Sequence, residues 1–339
     1  MILRMKSRLR LAWWPLCMLS FSLQAAEPAS APAPSVNNSN MDGRLFYQLL
    51  LGELNVRQGS PGAGFSLLLD AARKTRNSVL FQRAVEIALQ SRSGEAALQA
   101  AQSWKREIPD ASEPNRYILQ ILLAVNRIEY AGQALSVSID ELPDSEKREA
   151  IASIPRVFAR VNDKALAANA VEKALSSSLK DKSLQATAWT TIGRMRRDAQ
   201  QLPAAIDAAK NAHASDPKAQ GPLILALSLL PTGSADIKAM LDEAMKGPVA
   251  AEIRLGYARG LLALQAPEDA LRQLQQLSQQ HPDFAPGWLV LGLVQFDNGE
   301  LGPARLSLMR HVEMTRDSQD LEQQAGLTEV TIITVSPAR

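Results

Sequence analysis

Apolar residues recur every three or four positions through most of the chain. From Asp42 to about Ser318 the sequence is rich in Ala and Leu, has few runs of β-branched residues, and is interrupted by Pro, Gly and Asn. This spacing places apolar side chains on one face of an α-helix, whereas a half-buried strand would require alternation. The pattern therefore predicts an all-α body with turns at the interruptions.

The helical body also repeats itself. One series of aromatic, apolar and small residues occurs twice, 99 residues apart: Trp189, Ile192, Gly193, Ala205, Ala209 and Trp288, Leu291, Gly292, Ala304, Leu308. Because 99 is close to three times 33, and Ala270 precedes Ala304 by 34 residues, the period is 33 to 34 residues. Such a period is typical of helix–turn–helix repeats.

The repeat resembles the tetratricopeptide repeat (TPR) family at five positions: Trp189, Gly193, Ala205, Ala212 and Pro217. The resemblance implies a TPR-like superhelical solenoid, in which the first helix of each unit lines a groove. The small residues Gly193 and Ala205 would allow the two helices of a unit to approach closely.

The period predicts about eight helix–turn–helix units, at residues 45–78, 81–114, 115–148, 152–185, 186–219, 220–250, 251–284 and 285–318. The TPR pattern fits least well at 115–185 and 220–250, so the boundaries are expected to shift there. An irregular α-helical bundle stays open as the alternative.

The first 26 residues have the layout of a secretory signal peptide. Four cations and no acid precede the apolar run 11–23, and Ala25 and Ala26 follow it. The run is shorter than the about 20 residues that a helix needs to cross a bilayer. We therefore predict cleavage after Ala25 or Ala26 and a periplasmic protein. Retention of the segment as an anchor, and association with the outer membrane, stay open.

Cys17 is the only cysteine, and it lies inside that apolar run. It lacks the small residue that a lipoprotein signal places before its cysteine, so the mature chain is expected to contain no thiol or lipid. Cleavage also removes four of 37 basic residues and none of 35 acidic ones, which changes the formal net charge from +2 to −2. No basic excess remains to favour nucleic acid as a partner. We expect no transmembrane segment in the mature chain.

Two segments without helical periodicity flank the repeats. Residues 27–44 are rich in Pro, Ala, Ser and Asn, which predicts a flexible linker. Residues 319–339 end in the β-branched stretch LTEVTIITVSPAR. We expect this C-terminal tail to add to the edge of a partner's sheet, to pack over the last repeat, or to stay mobile.

The sequence shows no cluster of catalytic or metal-binding residues. His213, His281 and His311 fall in three different units, whereas a metal or acid–base site needs converging side chains. The glycine-rich stretch RQGSPGAGF at 57–65 lacks the Gly-Lys-Ser/Thr ending of a phosphate loop, so we interpret it as a turn between helices. We predict a non-enzymatic protein without a cofactor.

Arginines recur with nearly the period of the repeats, at intervals of 35, 35, 33, 34 and 65 residues. In the predicted frame all six fall in the second half of a first helix: Arg57, Arg92, Arg127, Arg160, Arg194 and Arg259. Such a ladder would pair with carboxylates of an extended peptide. The alternative is a solvated face near the helix ends. In that case the groove would bind through apolar positions such as Leu119, Leu123, Leu289 and Phe296.

A narrower resemblance covers residues 45–91, which begin LFYQLLLGELNVRQG. They resemble the start of exported TPR proteins of Gram-negative bacteria that act as adaptors for carboxyl-terminal processing proteases. The resemblance implies a scaffold that presents cell-wall hydrolases to such a protease. Two other functions stay open. One is a scaffold of an envelope assembly for pili, secretion or polysaccharide export. The other is an enzyme acting on peptidoglycan, which the missing catalytic cluster disfavours.

Overall fold

A computed structural model describes residues 42–316, which are almost entirely helical. Sixteen α-helices follow one another in this range: α1 (Gly43–Arg57), α2 (Pro61–Thr75), α3 (Ser78–Gln90), α4 (Gly94–Glu107), α5 (Glu113–Ala124), α6 (Ile128–Asp140), α7 (Asp144–Val157), α8 (Lys164–Ala174), α9 (Gln185–Asp198), α10 (Leu202–Ser215), α11 (Gln220–Leu229), α12 (Ala235–Ala244), α13 (Ala251–Ala263), α14 (Pro267–Gln280), α15 (Ala285–Asp297) and α16 (Leu301–Thr315). A short 3-10 turn, Leu230–Thr232, follows α11. The predicted all-α class is confirmed.

The described chain begins with the first turn of α1. The Asp42 carboxylate accepts a hydrogen bond from the backbone N–H of Leu45 at 2.6 Å, which is a typical helix cap. The helix therefore begins at Gly43, two residues before the predicted start of the repeats. The predicted signal peptide, most of the linker and the C-terminal tail lie outside the described residues.

From Tyr47 onward the helices form the repeat body. In most pairs the two helices pack against each other, as α9 does with α10 and α15 with α16. The second helix of a pair then packs on the first helix of the next, as α4 does on α5 and α14 on α15. This is an all-α solenoid of helix–turn–helix units, and eight units are present between residues 42 and 316.

Glycines lie where the two helices of a unit cross. A Cβ atom added to Gly292 would lie 2.7 Å from Cγ of Leu308 and 3.2 Å from the carbonyl oxygen of Ala304. A Cβ atom on Gly193 of α9 would lie 3.3 Å from Cβ of Ala208 in α10, and it would also overlap the side chain of Leu225 in α11 of the next unit. Because these positions have no room for a methyl group, glycine sets the distance between the helices. The predicted small residues at helix crossings are confirmed.

Aromatic residues join the second and third units. Phe81 of α3 and Trp104 of α4 are fully buried, and their rings stack with centroids 6.4 Å apart. The ring of Tyr117 in α5 lies 5.9 Å from that of Trp104. Aromatic contacts of this kind add to the apolar burial that holds neighbouring units together.

The fourth unit departs from the regular packing. Its helices pack mainly on other units, α7 on α9 and α8 on α6 and α9. Residues 175–184 form a long connection between α8 and α9. As a result, α9 begins 41 residues after the start of α7, whereas the first helices of other neighbouring units begin 31 to 35 residues apart. The predicted boundary between units 115–148 and 152–185 is wrong, because α7 begins at Asp144 and spans it.

Candidate functional site

The six predicted arginines do not form one ladder. Four of them lie at the last position of a first helix or in the turn beyond it: Arg57, Arg92, Arg127 and Arg160. Only Arg194 and Arg259 lie inside their helices, α9 and α13. The predicted helical position is therefore wrong for Arg92, Arg127 and Arg160. The late start of α9 shifts the register, so equal spacing along the chain does not give equal positions in the units.

The arginines at the turns are exposed to solvent. Arg127 already has a partner, since its Nη2 lies 2.8 Å from Oε1 of Glu95. Arg92 has a φ of 57°, within the left-handed region used by turns. Exposed ion pairs contribute little to stability, so these residues have the surroundings of a solvated edge.

Arg194 differs from the turn arginines because it is half-buried. Within residues 42–316 it has no ion pair, and the nearby Asp198 is bound by Arg197 at 2.8 Å. Burial lowers the pKa of the Arg194 guanidinium, and the charge of Arg197 lowers it further, while Asp198 acts in the opposite direction. A half-buried cation that forms no ion pair is unfavourable, so this position favours binding of an anion.

A second arginine lies beside Arg194. Arg148 of α7 and Arg194 of α9 line the same recess, of about 230 Å³, between the first helices α7, α9 and α11. We call it the arginine recess. Nη2 of Arg148 donates to the carbonyl oxygen of Ser183 at 3.2 Å, and Arg148 has no acidic partner among residues 42–316. The recess therefore presents two guanidinium groups without a carboxylate.

Small and short side chains form much of the remaining wall of the arginine recess: Ala152, Ala186, Thr187, Thr190, Gly221 and Pro222. The hydroxyl of Thr190 donates to the carbonyl oxygen of Ala186 at 2.7 Å, inside its own helix. The side chains that line the recess therefore include no acid that would compete for the arginines.

Sequence reasoning missed Arg148. It precedes Arg194 by 46 residues. This distance does not match the repeat, because α9 begins late and because Arg148 is the fifth residue of α7 whereas Arg194 is the tenth of α9. The two residues come together only because α7 packs on α9. No spacing rule could have indicated this pair.

The four apolar residues predicted for the groove belong to two separate surfaces. Leu119 is buried in α5 and Leu123 is half-buried against the same core. Leu289 and Phe296 are half-buried on α15, five units further along the chain. Of the four, Leu119 borders a cavity, which lies between α5, α6 and α7.

The histidines have separate surroundings. Nδ1 of the buried His311 lies 3.0 Å from the carbonyl oxygen of Ala285, and Nδ1 of His213 is buried without a hydrogen-bond partner in the described part of the chain. Between residues 42 and 316 no three His, Cys, Asp or Glu side chains are placed to hold a metal ion. The helices of this range are all too short or too polar to cross a membrane.

Comparisons with known proteins give distant structural similarity only. No family profile and no curated protein matches the chain. Among solved structures, the chain is similar to YrrB, described as a TPR protein with an unusual peptide-binding site. The two share 16% identity with a TM-score of 0.31, and the match covers 68% of this chain and 100% of YrrB. The chain is also similar to a tetratricopeptide repeat protein from Parabacteroides merdae ATCC 43184, at 11% identity and a TM-score of 0.29, over 86% of this chain and 98% of that one. Similarity at this level carries no inference about function.

Proposed function

We propose that this chain is a protein-binding scaffold, and that the arginine recess binds an acidic residue of an extended partner. The observation that supports the proposal is the half-buried Arg194, which lacks a carboxylate and lies in one recess with Arg148. A carboxylate would accept hydrogen bonds from the guanidinium groups and supply the ion pair that Arg194 lacks within the described residues. A stack of helix pairs suits this role because successive first helices present side chains along one surface.

We also propose that the scaffold works in the periplasm, without enzymatic activity of its own. The signal-peptide layout of residues 1–26 supports export. The resemblance of residues 45–91 to exported adaptors supports a carboxyl-terminal processing protease and cell-wall hydrolases as partners. A scaffold for an envelope assembly would use the same fold, and the identity of the bound proteins separates the two functions.

Affinity capture tests the proposal. Immobilised residues 27–339 would be incubated with an envelope extract, and the bound proteins identified by mass spectrometry. The test variant carries Arg148→Ala and Arg194→Ala. The matched control carries Arg92→Ala and Arg259→Ala, which removes the same charge from exposed positions outside the recess.

We expect the wild type and the control to retain a common set of partners and the recess variant to lose them. Binding of the purified partner should weaken as salt rises, because partly exposed ion pairs are screened over about 8 Å at physiological ionic strength. Equal capture by the recess variant and the control would exclude the recess as the binding site. A captured protease or hydrolase would support the adaptor role, and components of a secretion or pilus machine would replace it with the assembly role.

A further inference from the structure

A larger cavity lies where the regular packing of the repeats is interrupted. It has a volume of about 660 Å³ and lies between α5, α6 and α7. In a regular stack the next first helix fills the groove between the two helices of the preceding unit. Here α7 packs mainly on α9 and only marginally on α6, which leaves the groove partly open.

The interior of this α5–α7 cavity is apolar. Leu119, Leu135, Ile139 and Ile154 contribute buried side chains, and Val157 at its border is 41% exposed. The volume falls within the about 300–1,000 Å³ of ligand pockets in proteins. Because covering solvent-accessible apolar surface is favourable, the cavity favours a large apolar group as its occupant.

A fixed polar network forms one wall of the cavity. Nζ of Lys105 lies 2.6 Å from Oε2 of Glu141, and Nδ2 of Asn115 donates to the same oxygen at 2.6 Å. The hydrogen bond from Lys105 lowers the pKa of Glu141, burial acts against it, and Asn115 lowers it further. The network ties α4, α5 and the end of α6 together and leaves Lys105 and Glu141 neutralised by each other.

The remaining charges at the cavity are Arg116 and Asp110. Arg116 is exposed, and its guanidinium carbon lies 5.6 Å from the ring centroid of Tyr117. Neither Arg116 nor Asp110 forms an ion pair within residues 42–316. A carboxylate beside Arg116 would complete the charge pairing, while Asp110 would repel a second negative group and accept a hydrogen bond from a backbone N–H. This mixture suits a polypeptide better than a simple fatty acid.

We infer that the α5–α7 cavity is a second docking site, which takes one large apolar side chain of a partner polypeptide, Phe or Leu, with an acidic residue of the same polypeptide beside Arg116. The inference rests on the proposed protein-binding function and adds a contact outside the arginine recess. Helix α7 forms a wall of both sites, since Arg148 and Ala152 border the recess and Ser153 and Val157 border the cavity. One polypeptide crossing α7 would reach both.

Short, terminally blocked peptides with a Gly/Ser background serve as probes. One carries a central Phe-Asp pair, and the matched probes carry Ala-Asp or Phe-Lys. Isoleucine-methyl NMR of the full mature chain reports where they bind. We expect the Phe-Asp peptide to shift the methyl signals of Ile139 and Ile154. The Ala-Asp peptide should bind about tenfold or more weakly, because it loses a buried aromatic ring, and Phe-Lys should bind several-fold more weakly.

Four variants test the assignment. Ser153→Trp fills the cavity and should abolish binding, and Val157→Asp places a charge at its exposed border and should weaken binding about tenfold or more. If Ser153→Trp fails to fold, Val157→Asp still tests whether the peptide binds in the cavity. Arg116→Ala should remove the preference for Phe-Asp over Phe-Lys and keep the preference for Phe over Ala. Arg92→Ala, at an exposed turn outside both sites, should bind like the wild type.

Three results would overturn the inference: unchanged Ile139 and Ile154 signals with the Phe-Asp peptide, binding of laurate but not of the peptides, or full binding by both cavity variants. The two proposals fail separately. If the recess variant loses captured partners while the Phe-Asp peptide does not bind, the cavity is excluded and the arginine recess stands. If the peptide binds but the recess variant captures partners normally, the arginine recess is excluded.

Discussion

The side-chain hydroxyl of Thr191 in α9 donates a hydrogen bond to the backbone carbonyl oxygen of Ile151 in α7, at 3.0 Å, inside the core. This oxygen lacks its usual helical partner, because the residue four positions later is Pro155, which has no N–H. The neighbouring helix therefore supplies the missing donor. The contact explains how α7 continues through a proline, and it fixes α7 on α9, where Arg148 joins Arg194.

Thr191→Val should lower the free energy of unfolding by about 1–3 kcal/mol, because it leaves a buried carbonyl oxygen without a partner while keeping the side-chain shape. In a Pro155→Ala background the backbone N–H of residue 155 is restored and can donate to the same oxygen. Thr191→Val should therefore lower the free energy of unfolding by less in this background. Urea unfolding of the four proteins gives the coupling as a double-mutant cycle. An equal cost in both backgrounds would show that Thr191 acts through packing alone.

Gly292→Ala should lower the free energy of unfolding by about 1–3 kcal/mol although Ala favours helix, because the added methyl would meet Leu308 and the Ala304 carbonyl. Gly302→Ala is the matched control. It lies in the first turn of α16, and nothing would lie within 4 Å of its Cβ. This control should be neutral or stabilising in thermal melts. A neutral Gly292→Ala would contradict the close crossing of α15 and α16.

The repeat period predicted the helix pairs well, because each pair must bury the same apolar faces against its neighbours. Gly193 and Gly292 were recognisable from sequence for that reason. The fourth unit was not, because the period of the repeat does not reveal how far residues 175–184 lengthen the connection, although their sequence LSSSLKDKSL is rich in Ser and Lys and contains no Ala. The pairing of Arg148 with Arg194 depends on that irregular connection, so it follows from the tertiary structure alone.

Stability at acid pH should depend on Asp242. Burial raises the pKa of its carboxyl, but hydrogen bonds from Lys238 at 2.8 Å and from the hydroxyl of Tyr257 at 2.5 Å lower it, and the net pKa is below the usual value. Because the folded pKa is lower than the unfolded one, the ionised carboxylate stabilises the fold above the unfolded pKa of about 4. This stabilisation is lost as the pH falls through the folded pKa.

Tyr257→Phe tests this pH dependence. It should lower the free energy of unfolding by about 1–3 kcal/mol near neutral pH, where the carboxylate is charged, and by less under acid conditions. Tyr130→Phe, at a position 59% exposed, is the control and should change stability at neither pH. Urea unfolding of the wild type, Tyr257→Phe and Tyr130→Phe at neutral and acid pH measures these changes in the free energy of unfolding. If Tyr257→Phe lowered the free energy equally at both pH values, Tyr257 would stabilise the fold through packing alone.

Arg254 should be among the most sensitive positions of the chain, because it is fully buried and has no carboxylate partner among residues 42–316. Burial lowers the pKa of its guanidinium. Its Nη1 donates hydrogen bonds to two acceptors on α14, Oε1 of Gln273 at 2.7 Å and Oε1 of Gln276 at 2.8 Å. Its Nη2 donates to the backbone carbonyl oxygen of Met245 at 2.9 Å. One side chain of α13 therefore joins the end of α12 to α14.

Arg254→Lys retains the charge, but a single ammonium group cannot reach acceptors on both sides of the planar guanidinium. We expect it to lower the free energy of unfolding by about 2–4 kcal/mol, since it leaves buried acceptors unpaired around a desolvated charge. Arg259→Lys, at an exposed position on the same helix, controls for the change of residue type and should be neutral. If Arg254→Lys unfolds in urea at the same midpoint as Arg259→Lys, the fork of hydrogen bonds does not hold α12 and α14 together, and apolar packing around α13 must do so instead.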